Sequence, residues 1–314
     1  MVSIKRGSCF GFLPFSARAI RYINMLLSII TLNYKKADLT KNCLNSLIQQ
    51  FHQELDGNKI EIIVVDNNSQ DGSVDKLTKT FLSQKNIRIV KSAENGGFGK
   101  GNNLGASKAK GDYLLFLNND TTVTDKSLLE MAQYVHEHPE ISICGGQLVN
   151  ADGTLQASTG TFYHLFAVFL LLLGFQKFGL LDVSPKDVSQ VDWVKGGLLM
   201  IKKGVFDKLH GFDERIFMYT EDMDLCFRAY KSGIPVYFYP FVKVTHAEHG
   251  SANRSFAIVN IYKGLLYFYK KHKNYLEYLL VKTLLLSKAY MVILLGTLMN
   301  RSDLVKTYKQ AIQF

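Results

Sequence analysis

The run "YLLFLNND" at residues 113–120 joins five apolar or aromatic residues to two asparagines and an aspartate. A short apolar run bounded by polar turn residues is typical of a buried strand. In open α/β sheets, ligands bind at the carboxyl ends of the strands. We therefore expect Asp120 either to close a turn or to contact a charged ligand, such as a metal bound to a diphosphate.

The same pattern recurs earlier in the chain. The runs "MLLSIITLN" (25–33), "KIEIIVVD" (59–66) and "NIRIV" (86–90) are predicted strands, and helical patterns separate them. Strands that alternate with helices predict a parallel sheet with crossover helices. Because Asp66 and Asp120 each close a strand, we expect them to lie near one another at one edge of the sheet.

The second half of the chain is less regular. The run "FYHLFAVFLLLLGF" (162–175) predicts a buried or interfacial helix, because it is too short to span a bilayer. Strands are predicted in "VDWVKGGLLMI" (191–201) and "VYFYPFVKVTH" (236–246), with a helix from about Glu221. The pattern predicts an α/β fold, a mostly parallel central sheet flanked by helices, with a C-terminal helical extension.

Three regions are expected: an N-terminal extension (1–24), an α/β domain (25–252), and basic, apolar C-terminal helices (253–314). The extension lacks the apolar core and cleavage site of a signal peptide, and we predict that it is dispensable. The chain has 314 residues, 47% of them hydrophobic, enough for a sizeable core. Its four cysteines show no C-x-x-C spacing, which argues against zinc and disulfides and favours a cytoplasmic location.

The net charge of +10 is concentrated at the two ends of the chain, which favours contact with nucleic acid or an anionic membrane. The segment "YLEYLLVKTLLLSKAYMVILLGTLM" (275–299) is too apolar for a nucleic-acid arm. Its longest uncharged run, residues 289–300, is shorter than the ~20 residues of a membrane span. We predict peripheral attachment to the inner face of the membrane and no nucleic-acid partner. A packed helical hairpin or a homodimer contact is the alternative.

Several polar residues near the predicted strand ends are candidates for ligand contacts. Asp66 could accept hydrogen bonds from a base or ribose, or simply close a turn. The glycine-rich segment "NGGFGKGNNLG" (95–105) is predicted as a loop before a helix, and it matches neither the dinucleotide fingerprint nor a P-loop. Asn118-Asn119-Asp120 resembles a D-x-D metal triplet whose first acid is asparagine, so Mg²⁺ or Mn²⁺ binding with a diphosphate is one interpretation. A weakened metal site is the other.

The pair Glu221-Asp222 follows Thr220, a predicted N-cap, so its acids either complement the helix dipole or include a general base. Asp224 and Arg228 lie four residues apart and predict a surface ion pair.

His246, or His249 in its place, is a candidate metal ligand, although most single histidines are not. Trp193, the only tryptophan, is either a packing residue or a face for a sugar ring.

The order of these motifs closely resembles the family-2 inverting glycosyltransferases, and most nearly their rhamnosyltransferase-like branch. The resemblance runs from about Met25 to Ser251 and rests on "SIITLNY", "IIVVDNNSQDGS", "NGGFGKGNNLG", "LLFLNND", "WVKGGLLMIKKGVFDKLHGFDE", "YTEDMDLCFRAYKSG" and "VTHAEHGS". It implies a GT-A fold, a nucleotide-diphospho-sugar donor, a divalent metal (Mn²⁺ or Mg²⁺), and a glycan or lipid-linked acceptor.

The resemblance also assigns roles to residues. It places nucleotide-sugar contacts on Leu32, Asn33, Asp66, Gly97, Asn103 and Asn119, metal contacts on Asn118, Asp120 and His246, the catalytic base on Asp222, and the acceptor or sugar pocket on Trp193, Gly196, Gly197 and Glu221. The asparagine at 118, where many members have aspartate, leaves metal dependence open.

Three alternatives to transfer of this kind are considered. A polyprenyl-phosphate or processive polysaccharide synthase of the same fold is the nearest alternative, and the processive form is disfavoured because Q-x-x-R-W is absent. A sugar-1-phosphate nucleotidyltransferase is disfavoured because its glycine-rich signature is absent. A sugar-binding or scaffold protein without catalysis is the non-enzymatic alternative, and Asn118 is its one indication.

Overall fold

The computed structural model describes residues 27–172, 184–247 and 254–313. The predicted extension (1–24) and His249 lie outside the described residues. The elements in chain order are β1 (Leu27–Asn33), α1 (Ala37–Asp56), β2 (Ile60–Asp66), α2 (Ser73–Thr80), β3 (Ile87–Lys91), α3 (Gly97–Lys108), β4 (Tyr113–Leu117), β5 (Thr121–Thr122), α4 (Ser127–Glu137), β6 (Ile143–Val149), β7 (Thr159–Gly160), α5 (Leu165–Leu172), β8 (Ser189–Val191), β9 (Trp193–Val194), β10 (Leu198–Lys202), α6 (Lys203–Lys208), α7 (Glu221–Lys231), β11 (Val236–His246), α8 (Arg254–His272), α9 (Tyr275–Leu298) and α10 (Ser302–Ala311).

The main sheet has the strand order β3-β2-β1-β4-β10-β6-β11-β5, and β8 also pairs with β11. Strands β1 to β4 run parallel, whereas β10 is antiparallel to both of its neighbours, β4 and β6. Because β1 lies between β2 and β4, the carboxyl ends of these three strands share one edge. The predicted α/β class, with a mostly parallel central sheet, is confirmed.

Alternate side chains of the central strands enter two hydrophobic clusters, one on each face of the sheet. Ile29, Ile62 and Leu115 belong to the cluster that includes residues of α1 and α4. Ile30 and Phe116 belong to the cluster that includes residues of α3, α7 and α8. Burial on both faces explains why these strands are continuous apolar runs rather than alternating ones.

The glycine-rich segment is helical, so its prediction as a loop was wrong. Helix α3 begins at Gly97, whose φ of +82° is one that glycine adopts without strain. A Cβ on Gly105 would lie 2.4 Å from Cγ2 of Ile30, so the glycine lets α3 lie directly on the sheet. Close packing on the sheet therefore overrides the low intrinsic helix propensity of glycine.

The predicted C-terminal helices are present and pack on the α/β core. Leu265 and Phe268 of α8 lie in the same cluster as Ile30, and α9 adds Val281 and Leu285. Helix α9 is long and apolar enough to cross a membrane, and 22% of its most apolar window is buried. The division of the chain near residue 253 stays a prediction, since helices beyond it share the core.

An ion-pair cluster joins α7 to α8. The carboxylate of Asp224 accepts hydrogen bonds from Arg228, Lys271 and His272, each at 2.7 Å. The predicted pair of Asp224 with Arg228 therefore forms, but the prediction of a surface pair was wrong, because the Asp224 side chain is 0% exposed. Lys271 also donates to Asp213 at 2.7 Å, which ties the segment before α7 to α8.

Candidate active site

The carboxyl ends of β1, β2 and β4 meet in a chain of side-chain hydrogen bonds. Asn33 donates from Nδ2 to Oδ1 of Asp66 at 2.6 Å, and the Thr40 hydroxyl donates to Oδ1 of Asn33 at 2.9 Å. Asn119, which follows β4, donates from Nδ2 to the Thr40 oxygen at 2.8 Å. The polar residues that close these strands therefore lie together, as the sequence predicts.

Asp66 closes the turn after β2. Its Oδ2 accepts a hydrogen bond from the Ser69 backbone N–H at 2.9 Å, and its Oδ1 accepts one from the Ser69 hydroxyl at 2.6 Å. The residue is 2% exposed. The predicted turn role is confirmed, and its contact with a nucleoside stays a prediction.

Asp120 and His246 converge at the end of β4. Oδ1 of Asp120 lies 3.3 Å from Nε2 of His246, and Nδ2 of Asn118 lies 3.1 Å from the same nitrogen. The other ring nitrogen, Nδ1, lies 2.8 Å from Oε1 of Gln156. The strand pairing of His246 with Thr121 explains this convergence, because it brings the end of β11 against the residue after Asp120.

This donor set fits a divalent cation that a diphosphate also binds. Mg²⁺ and Mn²⁺ favour carboxylate and carbonyl oxygens, and imidazole is a common metal ligand. Across residues 27–172, 184–247 and 254–313, no cluster of three or more His, Cys, Asp or Glu side chains is present. The chain therefore offers a carboxylate, an imidazole and an amide, and substrate oxygens would have to complete the coordination.

A short turn between β9 and β10 links this group to Asp222. The backbone N–H of Gly196 donates to Oδ2 of Asp222 at 3.0 Å, and the carbonyl of Gly197 accepts from the Asn118 N–H at 3.1 Å. A Cβ on Gly197 would lie 3.0 Å from Nδ2 of Asn118, so glycine permits the close approach. The single strand predicted for residues 191–201 is broken at this turn.

Burial sets the protonation of the two acids that begin α7. Burial raises the pKa of Glu221 well above its ordinary value, and the neighbouring Asp222 charge raises it further. Among the described residues, Oε2 of Glu221 has no hydrogen-bond partner. Burial also raises the pKa of Asp222. Hydrogen bonds from the backbone N–H groups of Gly196 and Met223 act in the opposite direction, because they stabilise the carboxylate. Of the two acids, Asp222 is therefore the better candidate for the base, because only its carboxylate accepts these hydrogen bonds.

Thr220 was predicted to cap α7, and this prediction was wrong. Its φ is +70°, its side chain makes no cap hydrogen bond, and the preceding Tyr219 has a φ of +64°. Two consecutive left-handed residues that are not glycine are strained, and such strain is found at functional sites. The strained pair fixes the direction in which α7 leaves the site.

The remaining predicted contacts fall into two groups. Gly97 and Leu32 lie near the carboxyl ends of the strands. The side-chain amide of Asn67 donates to the Gly97 carbonyl. The side chains of Asn67 and Leu32 both lie about 3 Å from a Cβ built on Gly101. Asn103 instead bonds the backbone of Phe212 in both directions.

Trp193 is 7% exposed, and its indole N–H donates to the carbonyl of Thr161 at 3.1 Å. These contacts favour packing roles for Asn103 and Trp193, whose ligand contacts stay predictions.

Sequence reasoning missed three residues that organise the site. Ser69 and Thr40 hold Asp66 and Asn33, and Gln156 contacts His246. The spacing of Ser69 from Asp66 is a turn signal that could have been used. Gln156 carries no local signal, because its partner is 90 residues away in the chain.

Comparison with known proteins gives a family for this arrangement. The family described as "Glycosyl transferase family 2" matches residues 28–188, and "Glycosyl transferase family group 2" matches residues 113–293. The chain belongs to glycosyl transferase family 2. The first match contains the strand edge with Asp66 and Asp120, and the second extends through α7 into α9.

Two curated relatives are similar over part of their length. The chain is 26% identical over 217 residues to the low-salt glycan biosynthesis hexosyltransferase Agl10 of Haloferax volcanii, covering 67% of this chain and 63% of the relative. It is 29% identical over 171 residues to the rhamnosyltransferase WbbL of Escherichia coli, covering 51% of this chain and 64% of the relative. The chain thus spans just under two thirds of each relative.

A solved structure shows the same fold. The structure of GalNAc-T7 with UDP, GalNAc and Mn²⁺ matches with a TM-score of 0.59 at 16% identity, over 78% of this chain and 47% of that protein. The predicted GT-A fold of this family-2 chain is therefore confirmed. At this identity the likeness concerns the fold alone.

Proposed function

We propose that this family-2 chain transfers a sugar from a nucleoside-diphosphate sugar to a hydroxyl of a cell-surface glycan or lipid-linked acceptor, with inversion at the anomeric carbon. The observation that supports this most is the turn at Gly196 and Gly197. It contacts Asp222 on one side and Asn118 on the other, next to Asp120. One short turn thus links the proposed base to the proposed diphosphate-binding group, and a single displacement needs both groups near the anomeric carbon.

On the donor side, the residues at the strand ends hold the nucleotide sugar. Asn33 and Asp66 form the rigid floor of the nucleoside site, and α3 begins beside it at Gly97. Asp120, His246 and Asn118 would hold a divalent metal, which supplies positive charge to the departing diphosphate.

On the acceptor side, Asp222 removes the proton from the attacking hydroxyl as that oxygen forms its bond to the anomeric carbon. The bond between the anomeric carbon and the diphosphate oxygen breaks in the same step, so no second carboxylate nucleophile is needed. N–H groups of Gly196 and Met223 fix the orientation of the Asp222 carboxylate. The neighbouring Glu221, whose pKa is raised by burial and whose Oε2 has no partner among the described residues, belongs to the same acceptor or sugar pocket.

A donor panel tests this function directly. UDP-, dTDP- and GDP-sugars, including dTDP-rhamnose, are compared for thermal stabilisation and for transfer or slow hydrolysis, with and without Mn²⁺. We expect one nucleotide class to stabilise the protein and to be consumed with release of the diphosphate. Binding without any transfer or hydrolysis would support the sugar-binding alternative instead. The similarity to WbbL makes rhamnose the first donor to try.

We expect the Asp120→Asn variant to lose most of its affinity for the metal. The substitution keeps the size of the side chain and removes the negative charge that attracts the cation. Mn²⁺ should support transfer in the wild type at much lower concentration than in the variant, by about tenfold or more. The measurement is the initial rate against Mn²⁺ concentration, with Asp125→Asn, on the nearby loop, as control. An unchanged Mn²⁺ dependence in Asp120→Asn would place the metal elsewhere.

We further propose that α9 lies on the cytoplasmic face of the cell membrane. One side of α9 packs on the core through Val281, Leu285 and Ala289. Its other side exposes large apolar residues, among them Leu294 at 61% and Leu298 at 73%. Nearby basic residues would add about 1 kcal/mol each at an anionic surface. A lipid surface explains both the apolar face and the basic charge around it.

Vesicle binding tests the membrane proposal. The double variant Leu294→Glu and Leu298→Glu should bind phosphatidylglycerol vesicles at least tenfold more weakly than the wild type, because each substitution places a charge against hydrocarbon. Leu82→Glu, at a leucine that is 81% exposed on α2's side of the molecule, is the matched control. Equal sedimentation of all three proteins with the vesicles would contradict the proposal. Loss of a dimer in the double variant, measured by light scattering, would favour a homodimer contact.

A further inference from the structure

Gln156 is a buried polar residue to which the proposed reaction gives no role. It is 4% exposed and lies in the segment that returns from β6 after the turn at residues 150–154. Its backbone N–H donates to the carbonyl of Leu148 at 2.9 Å, so the segment runs back along β6. Since β6 pairs with β11 through Val149 and Thr245, this return places Gln156 beside His246.

The hydrogen bonds of Gln156 fix the orientation of its amide. Nε2 donates to Oδ1 of Asn150 at 2.7 Å and to the backbone carbonyl of His246 at 2.9 Å. Both of these partners are acceptors, so the nitrogen of the amide must face them. The remaining atom, Oε1, then faces Nδ1 of His246 at 2.8 Å.

That orientation selects one tautomer of His246. An amide oxygen only accepts hydrogen bonds, so Nδ1 must carry the proton in this contact. In the neutral ring, Nε2 then carries the lone pair, which accepts from Nδ2 of Asn118 at 3.1 Å and is also able to bind a metal in place of that contact. This lone pair points into the space that it shares with Oδ1 of Asp120, 3.3 Å away, and with the amide of Asn118. Oδ1 of Asp120 and Nε2 of His246 are both electron-rich, so a cation that binds both atoms would stabilise their close approach.

We propose that Gln156 is a positioning residue that holds His246 in the Nδ1–H tautomer, with Nε2 directed at the metal that Asp120 also binds. The inference rests on the proposed function, because it needs a metal at that position. Partners of a ligating histidine usually change metal affinity by about 10- to 100-fold when they are removed. Gln156 itself contacts neither metal nor substrate.

The test compares Gln156→Leu with Gln156→Glu at pH 8. Leucine removes the acceptor for Nδ1–H, whereas glutamate keeps it. We expect Mn²⁺ affinity, measured by electron paramagnetic resonance with UDP present, to fall about 10- to 100-fold in Gln156→Leu. It should stay within a few-fold of the wild type in Gln156→Glu. Thr154→Ala, which alters the same turn without contacting the ring, is the control.

A second measurement needs no metal. Long-range ¹H–¹⁵N spectra of the imidazole report the tautomer of His246 in the metal-free protein. We expect the Nδ1–H form in the wild type and in Gln156→Glu, and a mixture or the Nε2–H form in Gln156→Leu, if thermal unfolding shows that it is folded.

The outcomes separate this inference from the proposed function. If the wild type binds Mn²⁺ and Gln156→Leu binds it equally well, the role of Gln156 is refuted and the metal site stands. An Nε2–H ring in the wild type refutes the inference even where Gln156→Leu does not fold. No Mn²⁺ binding by the wild type overturns the manganese site and, with it, the role of Gln156, whereas sugar transfer is tested separately by the donor panel.

Discussion

Asp222→Asn should lower the rate of sugar transfer by about two to four orders of magnitude, with nucleotide-sugar affinity within a few-fold of the wild type. Gly196 and Met223 donate to different oxygens of Asp222, so asparagine keeps one of these two contacts, and it cannot take the proton from the acceptor hydroxyl. The measurement is single-turnover transfer at saturating donor, paired with donor binding by calorimetry. Asp187→Asn, the same change at an exposed acid, is the matched control and should have full activity.

The same carboxylate predicts a pH dependence. Burial raises the pKa of Asp222 above the ordinary value of 3.8, and the base works only when it is deprotonated. The transfer rate should therefore fall on the acid side at a higher pH than an ordinary aspartate would give. Asp222→Asn should show no such acid limb in its residual activity. Loss of donor binding together with transfer would mean that Asp222 supports the fold of the site instead of the chemistry.

Asp224→Asn should destabilise the protein by about 3–5 kcal/mol, because it removes the buried charge that pairs with both Arg228 and Lys271. Arg228, Lys271 and His272 all donate to this carboxylate, whose side chain is fully buried. Urea unfolding followed by the fluorescence of Trp193, the single tryptophan, measures the change. The matched control is Asp303→Asn, because Asp303 pairs with Arg301 at an exposed site, where solvent screens the ion pair and the loss of stability should be much smaller.

The destabilisation caused by Asp224→Asn should become smaller at acid pH. Burial alone would raise the pKa of Asp224, but hydrogen bonds from His272 and the charges of Arg228 and Lys271 lower it below 3.8. A lowered carboxyl pKa contributes stability that is fully present above the unfolded-state value and is lost as the pH falls through the folded-state value. The difference between wild type and Asp224→Asn should thus be constant near neutrality and shrink below about pH 4. Equal stability of the two proteins at pH 7 would contradict the buried ion-pair account.

The strands and their common edge could be predicted from the sequence because they depend on local pattern. Apolar runs that end in Asp66 and Asn118 mark strands buried on both faces, and parallel pairing then brings their ends together. The helix at Glu221 was equally visible. The family could be recognised from the order of the motifs, although no single residue identifies it.

Other features could not be predicted because they depend on distant contacts. The segment from Gly97 looks like a loop until the sheet beneath it, with Ile30 at its surface, is known. Asp224 and Arg228 have the spacing of a surface pair, and only the packing of α8 against α7 buries them. Gln156 reaches His246 through the register of two strands, which a single sequence does not specify.

We propose that Asp120 and His246 bind one cation together with its diphosphate, and that Asp222 faces the same space. A crystal structure of the chain with Mn²⁺ and the nucleoside diphosphate chosen by the donor panel tests it most directly. We expect an anomalous density peak for a manganese ion that is bonded to the Asp120 carboxylate and to Nε2 of His246. The diphosphate should be bound to the same ion. Manganese and nucleotide bound away from both side chains, or from Asp222, would contradict it.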